Sequence, residues 1–179
     1  MELVVILILI TVLTLAGIIM LYFLIRSKKN ERLKCLSAAE SILKEEYLEE
    51  ALQNDRQLDC SEMSNKKMVY IKSCGKSKTK VVFDPKKRIL FGRGSQCNIY
   101  INDNTVSEKH CVIYTQGSLV YLQGCSSKNG TFLTRGFSKF YITGTERVCL
   151  NTKDILKVGD QKFKVYLFNY CKNSYCEDM

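Results

Sequence analysis

Residues 90–131 read LFGRGSQCNIYINDNTVSEKHCVIYTQGSLVYLQGCSSKNGT, and the alternation inside this stretch decides the fold. Short runs rich in branched and aromatic residues (LF, NIYI, CVIY, LVYLQ) are separated by clusters of Gly, Asn, Asp and Ser, the pattern of strands joined by tight loops. The loops carry the polar chemistry in a fixed order: Gly92-Arg93, then Ser107-Glu108-Lys109-His110, then Ser127-Lys128-Asn129-Gly130-Thr131. An arginine offers a planar fork of donors, a serine hydroxyl one more, and an asparagine amide can hold an extended backbone. Such a set suits an oxyanion, with no nucleophile placed beside a base.

Working outward, the same strand pattern runs from residue 68 to residue 168. Candidate strands fall at 68–71, 80–83, 89–91, 98–101, 111–114, 119–123, 131–133, 140–142, 147–150, 155–158 and 162–168. About eleven short strands with one proline, Pro85, and no helical period argue for an all-β, antiparallel sandwich. Gln116-Gly117 and Gly159-Asp160 are expected hairpin turns.

The N-terminal end is of another kind. Residues 3–25, from Leu3 at one end to Ile25 at the other, carry no charge. These 23 residues, at about 1.5 Å each, cross a hydrocarbon core of about 30 Å. A cleaved signal peptide would have a basic start, a shorter apolar run and a small-x-small site, so a retained transmembrane helix is expected over residues 1–26. Arg26, Lys28, Lys29, Arg32 and Lys34 follow it, against Glu2 alone before it. The positive-inside rule then places the remainder in the cytoplasm, giving a single-pass membrane protein.

From residue 27 to about residue 60, Leu33, Leu36, Ala39, Leu43, Tyr47 and Leu48 recur at helical spacing, followed by the polar stretch 54–65. This reads as an amphipathic helical stalk and linker. Its apolar positions keep no strict heptad, so a homodimer through the stalk is only an alternative to a solvated spacer. The β-domain is expected over 61–170 and a tail over 171–179.

Charge divides along the chain: residues 1–60 hold 7 basic and 9 acidic side chains, residues 61–179 hold 20 and 9. A domain this basic attracts anions, whether phosphorylated protein, the anionic inner leaflet or nucleic acid. Nine cysteines, an odd number without CxxC, in a chain placed in a reducing compartment read as small buried hydrophobes rather than disulfides. One histidine, His110, without clustered ligands gives no metal site, and no cofactor is expected. No acid-base pair, GxSxG elbow or GxxxxGK loop points to an enzyme.

The ordered set Leu90-Phe91-Gly92-Arg93, Cys97-Asn98-Ile99-Tyr100-Ile101, Val106-Ser107-x-x-His110, Ser127-x-Asn129-Gly130-Thr131 and Leu156-x-x-Gly159-Asp160 resembles a forkhead-associated (FHA) domain over about 100 of the 179 residues. The resemblance implies a non-catalytic β-sandwich whose loops bind phosphothreonine in an extended peptide. It implies that Arg93 and Ser107 contact the phosphate, with Lys109 and Lys128 nearby, and that Asn129 holds the peptide backbone. Gly92, His110, Gly130 and Thr131 would support the loops. The partner would be a Ser/Thr-phosphorylated protein, a kinase or its substrate, recruited to the membrane; nucleic acid is the weaker candidate. A phosphate-independent scaffold and a basic lipid- or nucleic-acid-binding module are the alternatives. Two departures stand out. Glu108 occupies a position where the family often has a donor, and Arg135-Gly136 replaces a second Asn-Gly, ahead of a Phe/Tyr-rich excursion to residue 146.

Overall fold

The computed structural model describes residues 1–54, 66–75 and 79–170, with helix side chains described through residue 46. Residues 55–65 of the expected linker, and the tail from 171 to 179, lie outside the described residues. The chain divides into two compact units, Met1–Ser37 and Ala38–Met179.

A single helix, α1 (Glu2–Asn54), runs through the apolar stretch and the stalk sequence without a break at Arg26. In the first unit its apolar side chains from Leu3 to Ile25 are exposed all round, so no core of its own accounts for them. This is the one helix among the described residues long and apolar enough to cross a membrane. Thr11 and Thr14 return their hydroxyls to the carbonyls of Ile8 and Thr11 at 2.8 and 2.9 Å, which removes the polar cost of hydroxyls in an apolar run.

The second unit is the sandwich. Its strands are β1 (Lys66–Ser73), β2 (Lys80–Phe83), β3 (Ile89–Gly92), β4 (Ile99–Tyr100), β5 (Cys111–Gln116), β6 (Leu119–Gly124), β7 (Thr131–Arg135), β8 (Ser138–Ile142), β9 (Arg147–Cys149), β10 (Ile155–Val158) and β11 (Gln161–Tyr170). They form a six-stranded sheet, β2-β1-β11-β10-β7-β8, and a five-stranded sheet, β4-β3-β5-β6-β9. Each expected strand is present. The expected wholly antiparallel pattern fails at one place, because β3 and β4 pair in parallel.

Period-two alternation builds the core. In the β5–β6 hairpin, Ile113 faces Leu122 and both are fully buried, while Tyr114 and Tyr121 stack on the other face with centroids 5.9 Å apart. Phe91 of one sheet meets Phe163 of the other edge-on at 5.6 Å, a geometry worth about 0.5–1.5 kcal/mol beyond the area it buries. Strand β1 breaks the alternation: Met68, Val69, Tyr70 and Ile71 are all buried. Val69 and Ile71 belong to the inter-sheet core, so Met68 and Tyr70 lie on the outer face with their pairing partners Phe168 and Tyr166.

That unit also contains the later turns of α1, where Ala39 and Leu43 are completely buried. Glu46 pairs with Lys66 at the start of β1, and Lys66 reaches the buried Asp84 at 3.4 Å. Burial pulls the Lys66 ammonium down, but the Glu46 hydrogen bond and the Asp84 charge outweigh it and raise its pKa. Asp84 also caps the 3-10 turn Pro85–Lys87 by accepting the Lys86 N–H at 2.9 Å.

Candidate functional site

Three loops meet at one end of the sandwich: 93–98 after β3, 101–110 before β5, and 125–130 before β7. Backbone bonds sew the first two together, with Arg93 N–H donating to Ser107 O at 2.9 Å and Gly94 N–H to Glu108 O at 3.0 Å. Gly92 makes this approach possible, because a Cβ there would overlap the Glu108 carbonyl. Cys125 N–H donates to His110 O at 3.0 Å, adding the third loop.

His110 links the second and third loops from inside. It is fully buried; its Nε2 lies 2.9 Å from the Gly130 carbonyl and its Nδ1 3.3 Å from the Ser107 N–H. A carbonyl only accepts and an N–H only donates, so the proton sits on Nε2 and Nδ1 is the acceptor. Burial lowers the pKa, against the opposing pull of the Gly130 carbonyl and the Asp103 charge, and the ring is held neutral. The imidazole bonds the backbone of Ser107, not its hydroxyl. The hydroxyl instead accepts the Lys128 N–H at 3.3 Å. A general base for a serine nucleophile is therefore not formed by this pair.

Sequence reasoning missed several supports. Asp103 accepts the Thr105 N–H at 2.8 Å and its hydroxyl at 2.6 Å, and its other oxygen accepts the Asp160 N–H at 3.2 Å. These bonds, the Thr105 hydroxyl first, hold its carboxyl below the ordinary range. The signal was present in the Asp-x-Thr spacing of an Asx turn. Asn129 donates from Nδ2 to Thr105 O at 2.8 Å, so half of its amide holds the loops and Oδ1 is left for a ligand. Tyr141 of β8 donates to Asn129 O at 3.1 Å and stacks on Phe132 at 4.6 Å. Thr131, which the sequence did single out as a loop support, is fully buried at the head of β7.

Arg135, at the second departure, does not face this cluster's chemistry. Its guanidinium clamps the buried Asp154 through Nε at 2.9 Å and Nη2 at 2.8 Å, and reaches Cys149 O at 2.7 Å. The excursion beyond it is the β7–β8 hairpin.

Arg93, Glu108, Lys109 and Lys128 are exposed, and none of the four side chains has a hydrogen-bond or ion-pair partner among the described residues. The cluster thus presents one guanidinium, one half-buried hydroxyl, two ammoniums and an amide oxygen, with one carboxylate at the rim. Donors of these types are the ones that can bond an oxyanion. Among the described residues no group of three or more His, Cys, Asp or Glu side chains is placed to hold a metal ion.

The FHA domain family model matches residues 89–159. Similar solved structures include one described as a structural and functional analysis of phosphothreonine-dependent FHA domain interactions, at 20% identity and TM-score 0.47, covering 55% of this chain and 95% of that one. The FHA domain of the CT664 protein from Chlamydia trachomatis is 18% identical with TM-score 0.47, covering 55% and 96%. The FHA domain of a hypothetical protein from Arabidopsis thaliana is 20% identical with TM-score 0.48, covering 63% and 92%. No curated protein matches the chain. The chain thus carries an FHA domain, matched over residues 89–159 within a two-sheet sandwich of eleven strands.

Proposed function

We propose that this chain is a membrane-anchored phosphothreonine-binding module that draws a Ser/Thr-phosphorylated protein to the cytoplasmic face of a membrane. The observation that carries the reading is the pairing of Arg93 and Ser107. Their loops are bonded backbone to backbone at 2.9 Å, the guanidinium has no partner among the described residues, and the hydroxyl still has its own proton to donate. Charge-assisted bonds of this kind contribute about 1.5–3 kcal/mol each. Two or three with backbone contacts reach roughly micromolar affinity, about −8 kcal/mol. Removing the phosphate removes nearly two charges and the acceptor oxygens, so binding is gated by a kinase and a phosphatase.

Anchoring rests on the exposed apolar run between Leu3 and Ile25, and orientation on the basic residues from Arg26 onward. One experiment tests both parts. The full chain is reconstituted into neutral-lipid vesicles, washed with alkaline carbonate, and assayed for capture of matched phosphothreonine and unphosphorylated peptides. The chain is expected to stay with the vesicles and to hold only the phosphorylated form. Arg93→Ala is expected to weaken capture by about 10- to 150-fold, the equivalent of one lost charged contact, without a change in thermal stability. Equal capture of the two peptides would instead support a phosphate-independent scaffold, the reading that Glu108 favours.

A further inference from the structure

Glu108 is an exposed acidic side chain in a loop cluster that also exposes Arg93, Lys109 and Lys128, and its backbone is held on several sides. Its carbonyl accepts the Gly94 N–H at 3.0 Å and lies 3.0 Å from the Cys97 thiol, which donates to it. Gly92 packs against the same carbonyl with no room for a Cβ, and the preceding Ser107 carbonyl holds the Arg93 N–H. Two residues on, His110 is pinned to Gly130. These contacts hold the Glu108 backbone in the loop cluster and leave rotation to its side chain. Yet the carboxylate pairs with none of Arg93, Lys109 or Lys128 among the described residues.

A carboxylate one residue from the hydroxyl that meets a phosphate dianion is a like-charge conflict unless a cation comes between them. Among the described residues no cation of the protein pairs with this carboxylate, and a cation on the ligand would relieve the conflict. We propose that Glu108 is a specificity-determining residue that selects peptides in which the phosphothreonine is flanked directly by arginine or lysine. This deepens, and rests on, the phosphothreonine reading above. Arginine is the better fit, because its fork pairs a carboxylate through two parallel bonds while its face stays open to the phosphate. A phosphothreonine flanked by acidic residues meets both the repulsion and an unpaired carboxylate, and is rejected.

The test uses the full chain in neutral-lipid nanodiscs and one peptide scaffold carrying Arg, Ala or Glu on both sides of the threonine, each phosphorylated and unphosphorylated. The wild type is expected to bind the Arg-flanked phosphopeptide at least tenfold more tightly than the Glu-flanked one, with the gap narrowing as salt rises. Glu108→Gln is expected to reduce that gap to threefold or less, and Glu108→Arg to invert it, both with unchanged melting temperature because the side chain is exposed and unpaired. Phosphate-dependent binding with no Arg preference, or a preference that persists in Glu108→Gln, overturns this inference alone. No phosphate dependence with any peptide overturns the phosphothreonine reading and this inference with it.

Discussion

Gly130 shows how much one residue of the site carries. Its φ is +61°, and a Cβ would lie 2.5 Å from the Tyr141 ring, so alanine there meets backbone strain and a steric block together. The left-handed conformation alone costs an ordinary residue about 1–2 kcal/mol. Gly130→Ala is expected to destabilise the domain by about 2 kcal/mol or more, read as a fall in melting temperature of several degrees. Adding Tyr141→Ala should recover the steric part and leave the backbone part, so the double variant is less destabilised than the sum of the singles. If the two effects simply add, Tyr141 does not bear on this turn. The glycine was legible in the sequence as the second half of Asn129-Gly130; its ceiling was not, because Tyr141 arrives from a different strand. Asn129 is similar: its type and place were readable, but not that Thr105 takes one side of its amide. Local chemistry is written in neighbouring residues, whereas the partners of a loop side chain depend on how distant loops meet.

At the scale of elements, the strands were readable because alternation and turn residues are local properties. The parallel pairing of β3 with β4 was not, since the direction of pairing depends on the path of a loop with no periodic signal of its own. Arg135 was visible as a departure from the family pattern, but its ion pair with Asp154 needs β7 set against the turn before β10. His110 ties these loops to one another, and its burial predicts a pH effect. The unfolded imidazole titrates near 6.5 and the folded one lower. As pH falls below about 6.5 the unfolded state takes up a proton that the folded state refuses, so stability held above that pH is lost through the window down to the folded pKa. The slope there reaches at most about 1.4 kcal/mol per pH unit. Denaturant unfolding of wild type and His110→Gln between pH 8 and 5 should show the wild-type advantage shrinking as the solution is acidified. An advantage that is flat across that range would mean that the histidine is not held neutral.

The whole molecule joins an apolar helix to a β-sandwich, and the second unit begins well before the first strand. Sequence periodicity found Ala39 and Leu43 on one face of a helix, yet could not tell a solvated stalk from a packed one, because either needs the same spacing. The packing partners supply the answer: β1 has both faces covered, Tyr170 senses the charges of Glu40 and Lys44, and Glu46 meets Lys66 beside the buried Asp84. Burying a leucine contributes about 2–5 kcal/mol when judged by its removal to alanine, far more than an exposed ion pair. A fragment starting at residue 38 should therefore unfold at a clearly higher temperature than one starting at residue 61, although both hold every strand and every loop of the site. Leu43→Ala in the longer fragment should lose most of that difference, and Glu46→Gln a smaller share, since Lys66 keeps Asp84. Phosphopeptide affinity should be the same in both fragments under conditions where each is folded, because the helix segment pairs at the start of β1 while the recognition loops lie beyond the ends of β3, β4 and β6. Equal melting temperatures for the two fragments would return the segment to a spacer, and the sandwich would then need another cover for Met68 and Tyr70.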